Sequence, residues 1–227
     1  MNDRTVRPAR NSGPDSRALI LDAAAQLFSE FGYAATSMRQ VAAHVGLGQA
    51  SVYHHFASKE VILLEVLGAG LTRMLESTRS AVQALPVGSD ARQRLEAAIA
   101  GHLRGIQRDL AYTTTNARFQ GQLSPEGRER LRPLRTAYTE YWRGLMSDAR
   151  REGLLNPLLD DSMARALLLG SLNRTVAWFK QDKGPIEQLI RTTIAAFSGI
   201  WAQDRAPTHY PGTRQRRSAL PHLSARR

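Results

Sequence analysis

The stretch that decides the fold runs from residue 32 to residue 60 and reads GYAATSMRQVAAHVGLGQASVYHHFASKE. Its apolar side chains recur at helical spacing on both sides of Gly46, which predicts two short helices at 37–44 and 48–55. Glycine permits the tight backbone turn that must join them. Two short helices joined in this way form a helix-turn-helix, whose second helix fits the major groove of DNA.

The rest of the chain also shows helical rather than alternating spacing of apolar residues, as in Leu19, Ala23, Leu27 and Phe31. Glycine, proline and helix-capping residues interrupt this pattern at intervals. The sequence therefore predicts an all-α fold of about nine helices, with an N-terminal three-helix head followed by a larger helical domain. The predicted helices span 15–32, 37–44, 48–55, 58–84, 90–109, 111–121, 125–153, 160–182 and 184–204.

The 227 residues include no cysteine, which excludes disulfides, thiolate nucleophiles and cysteine-ligated metals. The sequence contains no run of about 18 apolar residues and therefore predicts no membrane span. The first residues lack the apolar segment of a secretory signal. We therefore expect a cytoplasmic protein without a membrane partner. The histidines lack the spacing of a metal site, so the sequence predicts neither a metal nor another cofactor.

The net charge of +11 indicates a polyanionic partner. It lies mostly at the chain ends, because residues 1–17 carry +2 and residues 205–227 carry +6. Residues 18–64, which contain the helix-turn-helix, carry −1. We therefore expect arginines near the N-terminus to neutralise much of the phosphate charge. These arginines are Arg4, Arg7, Arg10 and Arg17.

A set of residues between about 16 and 65 carries a family resemblance. It consists of Ala23, Leu27, Phe28, Phe31, Gly32, Tyr33, Thr36, Ser37, Met38, Val41, Ala42, Val45, Gly46, Leu47, Val52, Tyr53, His54, His55, Phe56, Lys59 and Glu60. This set resembles the DNA-binding head of TetR-family transcriptional regulators. The resemblance implies a homodimer that binds a palindromic double-stranded DNA operator. One departure is Gly48, where the family usually has a serine or threonine that caps the recognition helix.

The resemblance also assigns roles to individual side chains of the head. The residues expected at the DNA are Thr36, Arg39, Gly48, Gln49, Ala50, Ser51, Tyr53, His54 and Lys59. Those at positions 49, 50, 51 and 54 are expected near base edges, and Tyr53 and Lys59 near phosphates. A glutamine such as Gln49 can bind adenine through two hydrogen bonds.

Four segments follow from the charge distribution and the resemblance together. We expect a flexible basic arm at 1–14, a DNA-binding domain at 15–62, a ligand-binding and dimerisation domain at 63–204, and a disordered basic tail at 205–227. By resemblance, the protein is a ligand-responsive repressor that a small hydrophobic effector releases from its operator.

The runs at 127–143 and 169–179 resemble the TetR-like regulators that sense acyl-CoA thioesters. In that subgroup the asparagine that matches Asn173 is commonly followed by an aromatic residue, where this chain has Arg174. A CoA thioester needs an apolar slot for its acyl part and cationic groups for its phosphates. The ligand-binding residues expected on this basis are Arg118, Tyr138, Trp142, Met146, Asn173, Arg174 and Trp178.

Structural interpretations of the same residues stay open. Trp142 and Trp178 are also typical of a helical core, and Asn173 is equally suited to a hydrogen bond between helices. The arginine series at 128, 130, 132 and 135 is typical of a solvated helix face, although Arg135 and Arg143 are also candidates for phosphate binding.

Apolar residues of the last two predicted helices are expected to form the dimer interface, although they can also fill the monomer core. They are Met163, Leu167, Ile186, Ile190, Ile194, Phe197 and Trp201. Two alternatives to a regulator remain. One is a non-regulatory, architectural DNA-binding protein, and the other is an all-α enzyme acting on acyl-CoA, for which the sequence offers no catalytic constellation.

Overall fold

A computed structural model describes residues 14–201 of the chain. Within this range the predicted all-α fold is confirmed, and the polypeptide forms nine α-helices. They are α1 (Pro14–Phe31), α2 (Met38–His44), α3 (Gln49–His55), α4 (Lys59–Gln83), α5 (Ala91–Arg108), α6 (Leu110–Phe119), α7 (Pro125–Arg151), α8 (Asp161–Arg174) and α9 (Ile186–Ala196). The predicted tail at 205–227, and the predicted arm up to residue 13, lie outside the described residues.

Local signals in the sequence form the helix-turn-helix. Ser37 caps α2: its hydroxyl accepts from the Gln40 backbone, while the Gln40 side chain accepts from the Ser37 amide at 2.8 Å. Gly46 takes a φ of 66° in the turn, which is a left-handed conformation that glycine adopts without strain. The buried core beneath these helices contains Ile20, Phe28, Val41, Val52 and Phe56.

Helix α4 connects this head to the rest of the molecule. It begins at Lys59 and crosses the expected domain boundary at 62 within its first turn. Val66 and Leu67 on α4 belong to the same buried cluster as the head core, together with Tyr112 of α6 and Leu131 of α7. The head is therefore packed directly onto α6 and α7 as well as α4.

Helices α4 and α5 approach each other closely at two glycines of α5. A Cβ atom on Gly101 would lie 2.6 Å from the Ala81 Cβ and 2.7 Å from the Ser77 carbonyl oxygen. The Ser77 hydroxyl donates to the Gly101 carbonyl across this contact at 2.9 Å. Gly105 faces Ser77 and Met74 in the same way, so the contact depends on residues without side chains.

The last two helices are shorter than predicted. Helix α8 ends at Arg174 rather than 182, because the chain tightens into a 3₁₀ turn at Thr175–Ala177. The Thr175 hydroxyl donates to the Leu172 carbonyl at 2.7 Å, and Phe179 is buried in the core. Helix α9 ends at Ala196 rather than 204 and is followed by a further 3₁₀ turn at Ser198–Ile200. None of the helices among residues 14–201 is long and apolar enough to cross a membrane.

Candidate functional site

The outer face of α3 carries the predicted base-reading residues. Gln49, Ala50, Tyr53 and His54 are exposed, and Ser51 is half-buried. Val52 is fully buried and orients the helix by packing into the head core. Gly48 precedes the helix with an extended backbone and offers no side chain to cap it. The helix therefore presents polar and small side chains outward on a fixed support.

Two residues expected at the DNA instead hold the connection that leads into α2. Thr36 is 2% exposed, and its hydroxyl donates to the Gly32 carbonyl at 2.9 Å. The Lys59 ammonium donates to the carbonyls of Tyr33 and Thr36 at 2.8 Å each and lies 4.2 Å from the Tyr33 ring centroid. Both side chains therefore use their polar groups inside the head, whereas Arg39 is exposed.

One of the four N-terminal arginines lies within the described residues. Arg17 pairs with Glu65 of α4 and lies 4.8 Å from the Phe56 ring centroid. Its guanidinium thus connects α1 to α4 instead of being free for a phosphate. The other three arginines expected to neutralise phosphates, at 4, 7 and 10, lie outside the described part of the chain.

A cavity of about 270 Å³ lies in the larger domain among α4, α5, α6, α7 and α8. Most of its wall surface is apolar, although seven of its thirteen lining residues carry polar side chains. The lining residues are Gly70, Leu71, Met74, Ile106, Thr113, Asn116, Ala117, Gln120, Arg135, Tyr138, Thr139, Asn173 and Val176. A concave site that combines apolar surface with polar groups is typical of small-molecule binding.

Tyr138, which lines the cavity, is part of a buried polar cluster. Its hydroxyl lies 2.9 Å from Nδ1 of His102, which is completely buried. Burial lowers the pKa of His102 to about 4, although the nearby Asn173 side chain partly opposes this effect. The indole of Trp142 packs against His102 with ring centroids 6.0 Å apart. The histidine is therefore neutral at physiological pH.

A surface groove of about 400 Å³ adjoins the cavity along α7 and shares Arg135 and Thr139 with it. Its cationic side chains are Arg128, Arg132, Arg135 and Arg143, accompanied by Glu129 and Glu140. These arginines recur three, four or eight residues apart, which places them on one helix face. That spacing was visible in the sequence, but it equally suits a solvated face.

Arg135 differs from its neighbours because its side chain is half-buried. Its Nε and Nη2 atoms are buried without a hydrogen-bond partner among residues 14–201. Burial and the nearby Arg128 lower the pKa of the guanidinium. An anion bound here would favour the charged guanidinium and so raise this pKa again.

The predicted ligand residues divide into three groups. Tyr138 and Asn173 line the cavity, as expected. Trp142 and Met146 are 0% and 1% exposed and pack in the core. The other three lie away from the cavity lining. They are Arg118, which donates to the Ser29 carbonyl of α1, the exposed Arg174, and Trp178, which is 46% exposed.

The predicted dimer residues divide in a similar way. Met163 and Leu167 on α8 are 70% and 69% exposed. Ile190 and Trp201 are instead buried in the monomer core, where the Trp201 backbone pairs with Leu155. The remaining three, Ile186, Ile194 and Phe197, are half-buried against that core.

Helix α6 contacts both the cavity and the head. Thr113, Asn116 and Ala117 line the cavity. On other faces of the same helix, the Thr115 hydroxyl donates to the Ala25 carbonyl of α1 at 3.3 Å, and the Tyr112 hydroxyl donates to Asp22 at 2.6 Å.

Arg73 of α4 adds an ion pair to this contact between α6 and α1. Its guanidinium lies 3.2 Å from Asp22 of α1 and 3.2 Å from Asp109, which precedes α6. It also packs over the Tyr112 ring, 4.1 Å from the centroid. Direct hydrogen bonds and an ion-pair network therefore join α6 and α4 to α1. No pattern in the sequence indicated this set of contacts, because its members come from three separate segments of the chain.

Comparison with known proteins identifies the family. Residues 20–66 match the family described as bacterial regulatory proteins, tetR family, and residues 88–196 match the tetracyclin repressor-like C-terminal domain. The solved structure of the TetR-family regulator PfmR from Thermus thermophilus is 30% identical, covers 78% of this chain and 96% of its own, and has a TM-score of 0.69. The chain belongs to the TetR family. It is a DNA-binding transcriptional regulator rather than an enzyme.

Two further relatives are similar over most of the chain. The transcriptional repressor KstR2 of Rhodococcus jostii is 29% identical over 188 residues, which are 78% of this chain and 86% of its own. The structure of AibR in complex with isovaleryl coenzyme A and operator DNA is 25% identical, covers 81% of this chain and 98% of its own, and has a TM-score of 0.71.

Proposed function

We propose that this protein is a homodimeric cytoplasmic repressor that a CoA thioester releases from a palindromic operator. The observation that carries the proposal is the continuity of the apolar cavity with the arginine groove of α7 through Arg135 and Thr139. A CoA thioester has the same division, with an apolar acyl part joined to a polyanionic phosphate part.

The chemistry of each part supports this ligand. Leu71, Met74, Ile106 and Val176 offer the cavity apolar surface for an acyl chain. Arginines are well suited to phosphate because the guanidinium donates several hydrogen bonds in a fixed plane. Half-buried and without a partner among residues 14–201, Arg135 would gain most from the ligand's negative charge. AibR, a relative, is known in complex with such a thioester.

Release of DNA requires that the ligand bind one conformation of the regulator more tightly than another. Helix α6 offers a direct route, because its cavity-lining residues are one turn or less from Tyr112 and Thr115, which bond to α1. An acyl chain that displaces α6 would move α1 and, through the head core, α3. The two recognition helices of a dimer would then no longer match successive major grooves.

The exposed apolar face of α8 is the proposed dimer interface. Met163 and Leu167 are one turn apart on α8 and form adjoining exposed apolar surface, and contiguous surface of this kind often marks an interface between proteins. The flanking Ala166 and Gly170 are also exposed and would allow a partner helix to approach. Ile186, Ile194 and Phe197 would contribute from the edge of this surface, whereas the buried Ile190 and Trp201 would not.

For the DNA contact, we propose that Gln49, Ala50, Ser51 and His54 approach base edges. Tyr53 and Arg39 are the proposed phosphate contacts, and the close approach of the backbone at Gly48 would assist them. Because the head carries little net charge, the arm at 1–14 would add affinity that depends on salt.

Release of a labelled operator by octanoyl-CoA tests this function. The operator would first be selected from genomic fragments by the purified protein. We expect octanoyl-CoA to release it from the wild type, and Arg135→Ala to raise the half-effective concentration about tenfold through loss of a charge-assisted hydrogen bond. The matched control is Arg130→Ala, because Arg130 is exposed on the same helix and lies outside the groove. An equal response of both variants would refute the proposed phosphate site.

A further inference from the structure

A purely apolar acyl chain would leave the polar side chains of Tyr138, Asn173 and His102 without a role in ligand binding. Tyr138 and Asn173 both line the cavity, while His102 lies behind them and is completely buried. Ile106, one turn after His102 on α5, is also a lining residue. The cavity therefore has a polar wall, defined by Tyr138 and Asn173, which is supported from α5.

His102 is an expensive residue to keep in a core. Its Nε2, and the Nε1 of the adjacent Trp142, are buried and make no well-formed hydrogen bond within the part of the chain that the structure describes, although His102 lies near the Asn173 side chain and Trp142 near Tyr138. Each buried unpaired polar group costs about 1–3 kcal/mol. An aliphatic side chain would fill the same space without that cost. Packing alone therefore does not account for the histidine.

The hydrogen bond that His102 makes explains the presence of a histidine at this position better than packing does. The hydrogen bond between Nδ1 and the Tyr138 hydroxyl, at 2.9 Å, holds the phenol in one orientation. The three rings of His102, Tyr138 and Trp142 lie with centroids 6.0 to 6.4 Å apart, which restricts movement of the tyrosine further. His102 thus restrains the hydroxyl of a residue that lines the cavity.

We infer that Tyr138 and Asn173, with Tyr138 positioned by His102, bind a carbonyl oxygen of the effector's acyl part. The Asn173 amide can donate to such an oxygen, and the Tyr138 hydroxyl can do so when His102 donates to it through Nδ1. This inference rests on the proposed CoA thioester function and assigns its acyl selectivity. The carbonyl is either that of the thioester or a keto group further along the chain.

Three ligands of equal chain length separate these sources: octanoyl-CoA, 3-oxooctanoyl-CoA and the thioether S-octyl-CoA. Binding to the full-length protein would be measured by calorimetry. A preference of about tenfold for the oxo compound over octanoyl-CoA assigns the wall to a chain carbonyl. A similar preference for octanoyl-CoA over S-octyl-CoA assigns it to the thioester. Equal affinities for all three ligands would overturn the inference.

Variants test the residues that carry the inference. Tyr138→Phe and Asn173→Leu should each reduce the wild-type preference, measured as the ratio of the affinities for the two compared ligands in the same variant. His102→Leu should also reduce this ligand preference. His102→Gln should restore part of the preference, because glutamine can still form a hydrogen bond with the tyrosine hydroxyl. A His102→Leu protein that keeps the full preference, with a normal melting temperature, would contradict the positioning role.

Failure of this inference differs from failure of the proposed function. If no CoA compound binds or releases the operator, the proposed function itself is wrong. If all three compounds bind with equal affinity and Arg135→Ala weakens each of them by the same factor, the phosphate site stands and only the polar wall is refuted.

Discussion

Substitution of Gly101 by alanine should destabilise the protein, although alanine is the better helix former. The new Cβ would lie 2.6 Å from the Ala81 Cβ, 2.7 Å from the Ser77 carbonyl oxygen and 3.2 Å from the Thr78 Cα. These atoms belong to the α4 backbone or are attached directly to it, so no side-chain rotation relieves the contact. Since carbon atoms pack at roughly 3.5–4.0 Å, α4 and α5 must separate by about 1 Å.

The expected change in the free energy of unfolding is the sum of opposing effects. Alanine gains about 1 kcal/mol of helix propensity. Overpacking costs about 1–3 kcal/mol or more, and separation of the helices weakens the hydrogen bond from Ser77 to the Gly101 carbonyl by about 1 kcal/mol. We expect a net loss of about 2 kcal/mol. For a chain of this length, that loss lowers the melting temperature by roughly 4–8 °C.

Gly144→Ala is the matched control for this prediction. Gly144 lies within α7, and a Cβ there would have nothing within 4 Å among the described residues. This variant should therefore gain up to about 1 kcal/mol from helix propensity and melt slightly higher than the wild type. Thermal unfolding followed by circular dichroism measures both. If Gly101→Ala is as stable as Gly144→Ala, the close approach of α4 and α5 is wrong.

Three further predictions concern the dimer, the buried histidine and the DNA contact. The double variant Met163→Lys and Leu167→Lys should sediment as a monomer and lose operator affinity, whereas a persistent dimer would exclude this face. Burial lowers the folded-state pKa of His102 to about 4, so the unfolded chain binds a proton at a higher pH than the folded protein does. The free energy of unfolding should therefore fall by up to about 3 kcal/mol as the pH drops from 6.5 towards 4. Denaturant titrations should show a shallower fall for His102→Gln. Gln49→Ala should cost about 1–3 kcal/mol on the selected operator and little on random DNA, and equal losses on both would remove its role in base recognition.

The helix-turn-helix was predictable because its signals are local. The Ser37 cap, the turn at Gly46 and the apolar spacing around Val52 each act within a few residues. The end of α8 was not predictable in this way. It depends on the back-bonding of Thr175 and on the burial of Phe179 against other helices, whereas helical spacing continues past this point in the sequence.

The ligand site was predicted only in part for a similar reason. The resemblance to acyl-CoA sensors singled out Tyr138, Trp142 and Met146, but it does not tell which of these side chains border a cavity and which pack in the core. Arg118 has the charge for a phosphate, yet its position next to α1 directs it to the Ser29 carbonyl. His102 carried no sequence signal at all, because its meaning depends on Tyr138, 36 residues away.

Release of operator by a ligand in the cavity requires reciprocal linkage between the cavity and the DNA-binding face. The dissociation constant of octanoyl-CoA would be measured calorimetrically for the free protein and for the protein saturated with its selected operator. If ligand binding disfavours the DNA-bound conformation, operator must weaken octanoyl-CoA by the same factor by which octanoyl-CoA weakens operator. We predict a factor of about ten or more. Equal affinities of the free and operator-bound protein for octanoyl-CoA would contradict the account.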